Sequence, residues 1–447
     1  MIHTFSGLGG HFVLDAESGA VHQLDELGLA LLTRVGPEGP MTDVCPPAIL
    51  AALSRVWPPE EIAEGWDELR QLRDRGELFT PAEAYRAPEA GRLKALCLHV
   101  AHDCDLRCGY CFAGTGHYGG ARGLMPFETA RAAIDLLAAR SGGRRNLEVD
   151  FFGGEPLLAL DTVKQTVAYA RAHETEWGKR FRFTLTTNGL ALDADNIAWL
   201  DAEMDNLVLS LDGRPNVNDA VRKTPTGAGS YEKILPGLLA AARAREASGK
   251  DYYVRGTFTA RNPDFVDDLL HLAELGFRHL SMEPVVLPEG HPLALREEHV
   301  PTVLAAYDRL LAIMRERGDF SFFHFNIDLD GGPCVYKRLR GCGAGFEYAA
   351  VSPEGEVYPC HQFVGKAGFR LGDVWGGSWD DALSGRFAAL TVETKPDCAV
   401  CWAKYFCSGG CAAAAVNLNG RMDKPYGLGC ALQRKRLECA LVLKLRD

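Results

Sequence analysis

The chain contains 447 residues, of which 47% are hydrophobic and 24% are charged; this composition is typical of a folded protein of about three domains and excludes a disordered or fibrous one. The 48 basic and 59 acidic residues give a formal net charge of −11, so the molecule repels the phosphate backbone and we expect no nucleic-acid partner. No apolar run reaches the roughly 18 residues of a membrane span, and the first residues lack an export signal, which predicts a cytoplasmic protein with no membrane partner.

Residues 1–85 are predicted to form a small N-terminal domain. Apolar runs at residues 11–14 and 21–24 flank a turn and predict a β-hairpin. Three stretches with helical spacing follow, and residues 76–79 are predicted to close the unit as a strand. This order resembles a winged helix-turn-helix, which binds DNA in some proteins and peptides in others, and the acidic charge favours a peptide. The alternative is a domain that only packs against the rest of the chain.

Residues 93–300 alternate between short apolar runs and amphipathic stretches. The predicted strands occupy residues 96–100, 147–152, 181–186, 206–211, 252–258 and 279–282. The predicted helices include residues 130–139, 163–172, 234–247 and 265–275. The alternation predicts an α/β fold with a parallel sheet, in which chemistry gathers at the C-terminal ends of the strands. A linking helix is expected within residues 301–333.

Three cysteines follow the first predicted strand with C-x3-C-x2-C spacing, namely Cys104, Cys108 and Cys111. Three thiolates on one loop can hold three irons of a 4Fe-4S cluster and leave the fourth iron open. A partial zinc site or three unrelated thiols are the alternatives, but an odd number of cysteines cannot pair off, and no fourth zinc ligand lies nearby.

Polar residues and glycines follow the next three strands. Gly153, Gly154 and Glu155 follow the second strand, where the glycines would allow close backbone approach to a small ligand and the acid could accept hydrogen bonds from an ammonium group. Asn188 follows the third strand, and Ser210 lies at the end of the fourth. Each of these segments alone is equally typical of an ordinary turn.

Residues 334–447 hold nine of the 14 cysteines, and such clustering in a reducing compartment indicates metal binding rather than disulfides. Seven of them are candidate ligands: Cys342, Cys360, Cys398, Cys401, Cys407, Cys411 and Cys430, with C-x2-C-x5-C-x3-C spacing from Cys398 to Cys411. The run from Cys398 to Cys411 also fits a four-thiolate zinc site. Two iron-sulfur clusters would use the seven thiols better, with one cluster short of a ligand unless Cys334 contributes.

These motifs together resemble the radical S-adenosylmethionine (radical SAM) superfamily over residues 93–435. Cys104, Cys108 and Cys111 match its cluster loop, Tyr110 matches the aromatic residue before the last cysteine, and residues 153–156 match its methionine-amino motif. The later cysteines match the SPASM extension. The resemblance implies a partial (β/α)6 TIM-like barrel at residues 93–300 and an iron-sulfur SPASM domain at residues 334–447.

The resemblance also implies cofactors and ligand sets. An open iron would chelate S-adenosylmethionine (SAM), and an electron from a flavodoxin- or ferredoxin-type donor would cleave it to a 5′-deoxyadenosyl radical that abstracts hydrogen from the substrate. Asn188, Ser210 and Arg222 fall where relatives contact SAM. Three 4Fe-4S clusters are implied. Auxiliary cluster I would use Cys342, Cys360 and Cys411, with Cys334 or a substrate cysteine in the fourth place; auxiliary cluster II would use Cys398, Cys401, Cys407 and Cys430.

Within the superfamily, residues 97–104, 145–150 and 341–345 resemble the maturases of six-cysteine SCIFF peptides. Those enzymes join peptide Cys sulfurs to carbons of residues such as Thr, and residues 1–85 would recognise the leader of a Cys-rich precursor peptide. The alternative enzyme is an anaerobic sulfatase maturase that makes formylglycine; His361 stands where those relatives carry an Asp base, and is therefore a candidate base. A non-catalytic, zinc-bound peptide scaffold is the third possibility.

Overall fold

The structure is a computed structural model, and it describes residues 1–83, 91–329 and 338–445. The N-terminal unit, residues 1–83, has three antiparallel strands in the order β1-β2-β3, followed by helices. The strands are β1 (Ile2–Gly7), β2 (Gly10–Asp15) and β3 (Val21–Leu24). The helices are α1 (Glu26–Val35), α2 (Pro47–Leu53) and α3 (Pro59–Asp74), and they bury a core of their own with the sheet.

The predicted hairpin is confirmed as β2 and β3. The predicted closing strand at residues 76–79 is wrong, because Gly76 and Phe79 have φ values of 73° and 53°, which an extended strand cannot contain. The third strand is instead β1, which the sequence reading missed. The winged-helix assignment itself stays a prediction.

Six parallel strands pair in chain order and form the body of the molecule. They are β4 (Ala95–Ala101), β6 (Asn146–Gly153), β7 (Arg180–Thr187), β8 (Asn206–Ser210), β10 (Asp251–Phe258) and β11 (His279–Pro284). The helices between them are α4 (Phe127–Arg140), α5 (Leu160–Trp177), α6 (Ala194–Glu203), α7 (Pro215–Val221), α8 (Tyr231–Ser248) and α9 (Val266–Glu274). All six predicted strands and the predicted α/β class are confirmed.

Two very short strands bring the segment after β4 against the segment after β8. They are β5 (Arg107–Cys108) and β9 (Arg222–Lys223), which pair antiparallel with Cys108 opposite Arg222. The predicted linking helix is α10 (Val300–Glu316), and β12 (Ser321–Phe322) then adds to β11 in parallel.

The C-terminal segment, residues 338–445, continues the same sheet. Strand β13 (Tyr348–Val351) pairs in parallel with β4, and β14 (Glu356–Tyr358) and β15 (Gly372–Asp373) follow antiparallel. Its helices are α11 (Asp381–Ala388), α12 (Pro396–Ala399), α13 (Lys404–Cys407), α14 (Ala412–Asn419) and α15 (Gly427–Lys444). Helix α15 packs on α10; the sequence analysis predicted no helix there.

The N-terminal unit docks on the C-terminal segment. The His3 ring stacks on Trp402 with 3.8 Å between centroids, and Lys404 Nζ lies 3.2 Å from the buried Glu17 carboxylate. The Tyr405 hydroxyl donates to the same carboxylate. None of the described helices is long and apolar enough to cross a membrane.

Candidate functional site

The cluster loop, residues 102–112, carries the first three predicted thiols at the C-terminal end of β4. The loop is held against the segment that follows β8, the fourth of the six parallel strands. Two contacts hold it there: the pairing of β5 with β9 and a 2.8 Å hydrogen bond from Gly109 N to Val221 O. Burial raises the pKa of Cys104 to about 12 and that of Cys108 to about 11. Metal binding here must therefore displace protons, as it does at thiolate sites generally.

Gly153 and Gly154 let the end of β6 pack directly on the cluster loop. Gly154 N donates to Ala101 O at 2.7 Å, and Glu155 N donates to Asp103 O at 2.9 Å. A Cβ at Gly153 would overlap the Ala101 carbonyl oxygen, and one at Gly154 would overlap that of Asp103. The sequence reading expected the glycines to admit a ligand. The close approach that they permit in the structure is to the loop's own backbone.

Glu155 ties the ends of β6 and β7 together. Its carboxylate accepts hydrogen bonds from the Thr187 hydroxyl at 2.7 Å, from Asn188 N at 2.8 Å and from Leu157 N at 3.1 Å. Burial raises the pKa of Glu155 to about 7. In the structure, both oxygens that were predicted to accept from an ammonium group are engaged by the protein itself.

Asn188 and Ser210 lie on the barrel side of the cluster loop. The Asn188 side-chain amide donates to Asp105 Oδ1 at 2.7 Å and lies 3.7 Å from Cys104 Sγ. Ser210 ends β8 and pairs in register with Arg255 of β10. The structure therefore brings Asn188, which follows the third barrel strand, to the cluster loop, and it places Ser210 at the end of the neighbouring strand. The role of both residues in SAM binding stays a prediction.

A buried trio joins Tyr110 of the cluster loop to the fourth barrel strand. The Tyr110 hydroxyl donates to Asp212 Oδ2 at 2.7 Å, and Arg222 donates to Tyr110 at 3.1 Å. The second Asp212 oxygen accepts from Thr257 N at 3.0 Å. Asp212 was missed by sequence reasoning, although an acid just beyond a predicted strand end is a usable signal.

The Nε atom of Arg222 is buried and has no hydrogen-bond partner among the described residues. The side chain as a whole is 6% exposed. Because a buried guanidinium nitrogen is costly to leave unpaired, this atom fits contact with an acceptor from a bound group beside the three thiols.

Four of the C-terminal thiols converge on one cavity of about 200 Å³. They are Cys398, Cys401, Cys407 and Cys430. Cys430 comes from the first turn of α15, which brings it to the three cysteines of α12 and α13 and their connection. Within the described ranges, no group of three or more His, Cys, Asp or Glu side chains is placed to hold a single metal ion.

A second group of C-terminal thiols consists of Cys342, Cys360 and Cys411. Cys360 follows β14 and is buried; burial raises its pKa to about 12, and the nearby Cys411 and Cys342 thiols add to that shift. Cys334 lies outside the described residues. The fourth ligand of this group therefore stays open between Cys334, a substrate cysteine and no protein ligand at all.

The two thiol groups that flank the barrel are connected by aromatic rings. Phe112 follows Cys111, His361 follows Cys360, and their ring centroids lie 5.4 Å apart. Phe152 lies 5.2 Å from His361 and completes the contact. Burial, with a contribution from Arg255, lowers the pKa of His361 to about 4. The imidazole is thus unprotonated near neutral pH, and its role as a base stays a prediction.

The structure has three thiols at the end of the first barrel strand and two further thiol groups in the C-terminal segment. This arrangement is typical of an iron-sulfur protein. A family model described as "Radical SAM superfamily" matches residues 98–257, and one described as "Iron-sulfur cluster-binding domain" (SPASM) matches residues 342–402. Mycofactocin maturase of Mycobacterium ulcerans is 30% identical over 351 residues, which cover 75% of this chain and 88% of the relative. The chain belongs to the radical SAM enzymes that carry a SPASM domain. Membership implies SAM and iron-sulfur clusters as cofactors.

Other relatives and solved structures share the fold. GTP 3',8-cyclase 2 of Mycobacterium bovis is 32% identical over 307 residues, covering 66% of this chain and 81% of that protein. The structure of anSMEcpe with bound AdoMet superposes with a TM-score of 0.64 at 20% identity, covering 78% of this chain and 97% of that one. Streptococcus suis SuiB bound to the precursor peptide SuiA gives a TM-score of 0.53 at 15% identity, covering 96% and 98%. At these identities the structures show the fold alone.

Proposed function

We propose that this protein forms thioether cross-links, from a Cys sulfur to a carbon of an acceptor residue such as Thr, in a ribosomally made Cys-rich precursor peptide of the SCIFF type. The observation that carries the proposal is the contact between Phe112 and His361, whose ring centroids lie 5.4 Å apart. Because these residues directly follow Cys111 of the cluster loop and Cys360 of the second thiol group, the contact supports a single barrel opening for both groups. A substrate in that opening reaches both groups. The names of mycofactocin maturase and of SuiB with its precursor peptide are consistent with a peptide substrate.

The chemistry requires an electron balance that two neighbouring redox sites can provide. Joining a thiol to a C–H carbon removes a hydrogen atom from carbon, a proton from sulfur and one further electron. When bound, SAM and the clusters supply the radical that takes the hydrogen atom and the acceptor for that electron. Phe112 and Phe152 wall the opening with apolar surface, and His361 between them is the candidate base for the thiol proton.

The three thiol groups correspond to the ligand sets of the three 4Fe-4S clusters that the family resemblance implies. One set is the cluster loop; a second is Cys342, Cys360 and Cys411; and a third is the set of four that lines the cavity at α15. The first two sets hold three thiols each. Each therefore leaves one iron for another ligand: SAM at the cluster loop, and Cys334 or a substrate cysteine at the second.

The N-terminal unit is proposed to bind the leader of the precursor peptide. Its sheet order leaves β3 (Val21–Leu24) as an edge strand, and an edge strand can accept an extended peptide as a further strand. The unit also docks on the C-terminal segment through His3 and Glu17, so a bound leader would emerge near the barrel. The domain division at 1–85, 93–300, 301–333 and 334–447, and a low-potential flavodoxin or ferredoxin as electron donor, are parts of the same proposal.

The test is anaerobic reconstitution of the full chain, followed by reaction with SAM, reductant and the Cys-rich peptide encoded beside the gene. We expect about twelve irons per chain, and each cross-link should lower the peptide mass by two hydrogens. Cys104→Ala should abolish deoxyadenosine formation, and Cys398→Ala should retain some SAM cleavage but lose cross-linking. Cys45→Ala, which removes a thiol of the N-terminal unit outside these sites, is the matched control.

Two results would contradict the proposal. One is full cross-linking by a chain that lacks Cys104, Cys108 and Cys111. The other is a peptide in which Cys is converted to an aldehyde without a cross-link, which would favour the formylglycine alternative.

A further inference from the structure

A charged group lies inside the barrel on its fifth and sixth strands, next to Ser210 at the end of the fourth strand. Arg255 lies on β10, in register with Ser210 on one side and Ser281 on the other. Its strand neighbours Tyr252, Val254 and Phe258 are buried on the helix side. Because alternate residues of a strand face opposite sides, Arg255 faces the interior, where 56% of its side chain is exposed.

Glu283, at the end of β11, is the acid nearest to Arg255, but another cation holds it. Both terminal nitrogens of Arg436, from α15, donate to Glu283 Oε2 at 3.4 Å. Arg436 is itself buried and anchored by the Tyr307 hydroxyl at 2.7 Å. Arg255 lies 3.8 Å from Glu283, and its guanidinium makes no hydrogen bond to any part of the chain that the structure describes.

The interior therefore has one positive charge in excess at this point. Two guanidinium groups face a single carboxylate, and the adjacent imidazole of His324 adds no negative charge. Burial, with Arg436 contributing next, lowers the pKa of His324 to about 3, so that ring is neutral. A half-exposed guanidinium beside a carboxylate that a second guanidinium already holds suits a planar anion that accepts two parallel hydrogen bonds, which is the geometry of a carboxylate.

We propose that Arg255 binds a carboxylate of the substrate peptide and so holds the peptide in the barrel between the cluster loop and Cys360. The inference rests on the proposed function for the identity of the substrate as a peptide. The carboxylate of SAM is the other available source. Of the three residues that the resemblance assigns to SAM, Asn188 and Arg222 lie against the cluster loop, whereas Ser210 is in register with Arg255. The SAM affinity of Arg255→Gln is therefore measured to separate the two sources.

The test uses small probes, so it does not require the natural peptide. N-acetyl-aspartate N-methylamide, its asparagine counterpart and N-acetylglycine are titrated into the reconstituted, SAM-loaded full chain, and binding is followed by ligand-observed NMR. Arg255→Gln should weaken the binding of a carboxylate probe by about tenfold or more, as expected for loss of a hydrogen-bonded charge pair. Arg278→Gln is the matched control, because Arg278 is 59% exposed and also lies 3.8 Å from a glutamate, Glu246, but outside the barrel opening.

The relative affinities of the three probes identify the carboxylate that Arg255 binds, and the variants test whether Arg255 binds it. Tighter binding of the aspartate probe supports a side-chain carboxylate, and tighter binding of N-acetylglycine supports the peptide's C-terminal carboxylate. Equal binding of the asparagine probe, unchanged binding in Arg255→Gln, or an equal loss in Arg278→Gln would overturn the proposal, as would a matching loss of SAM affinity in Arg255→Gln. If carboxylate binding depends on Arg255 but no peptide is cross-linked, the proposed function fails while the site stands.

Discussion

Replacement of Gly154 by alanine should displace the cluster loop. The new Cβ would lie 2.5 Å from the Asp103 carbonyl carbon and 3.1 Å from Cys104 Cβ. Carbon atoms pack at roughly 3.5 Å, so the Asp103 peptide must move by about 1 Å. Overpacking of this kind costs about 1–3 kcal/mol, and loss of the hydrogen bond from Glu155 N to Asp103 O adds about 1 kcal/mol. We expect a destabilisation of about 2–4 kcal/mol.

The same displacement should prevent cluster assembly at Cys104, because metal–ligand distances tolerate only about 0.2 Å. Iron content after anaerobic reconstitution and the free energy of unfolding in urea are the two measurements. Gly123→Ala is the control in the same region, since a Cβ there meets nothing within 4 Å. Wild-type iron content and stability in Gly154→Ala would refute the packing argument.

Three further perturbations test other parts of the structure. Tyr110→Phe removes a donor from the buried Asp212 and should lower the free energy of unfolding by about 1–3 kcal/mol; no loss would mean that the trio is not formed. Burial lowers the pKa of His324 to about 3 in the folded state, so on acidification the unfolded chain binds a proton at this histidine before the folded chain does. Between pH 7 and pH 5 the free energy of unfolding should therefore fall by about 2 kcal/mol because of this residue. His324→Gln should lose that pH dependence, and an unchanged slope would contradict burial of a neutral ring. Glu17→Gln leaves Lys404 without its carboxylate and should destabilise the docked N-terminal unit by about 3–5 kcal/mol. Limited proteolysis and urea unfolding measure this loss. If adding Lys404→Met to Glu17→Gln recovers no stability, the ion pair is not the cause.

The six barrel strands could be predicted because each is a local apolar run followed by a helix of regular period. Where the prediction failed, the causes lie in conformation and tertiary contact. Gly76 and Phe79 adopt positive φ values, which apolar content alone does not reveal. Helix α15 was missed because two glycines stand in its first turn and a buried arginine, Arg436, interrupts its apolar face.

The candidate site divides in the same way. Local cysteine spacing identified the thiols of the cluster loop, because these three lie within one short segment. The C-terminal thiols are far apart in the chain, and only the family resemblance grouped them. Asp212, Arg255 and Glu283 have their roles only through pairing between strands, so the sequence gives no spacing rule for them. A single arginine in the middle of the predicted strand 252–258 was nevertheless a signal, because a charge on a central strand needs either a partner or a water-filled interior.

Helix α15 connects two parts of the candidate site physically. Cys430 in its first turn lines the four-thiol cavity, and Arg436, six residues later, holds Glu283 inside the barrel. Thiolate sites in such segments supply folding free energy when metal binds, so metal at Cys430 would fix the helix that positions Arg436. Arg436 neutralises Glu283, and that neutralisation leaves the charge of Arg255 available. The four-thiol cavity and the charged group in the barrel therefore share one structural support, although no residue belongs to both.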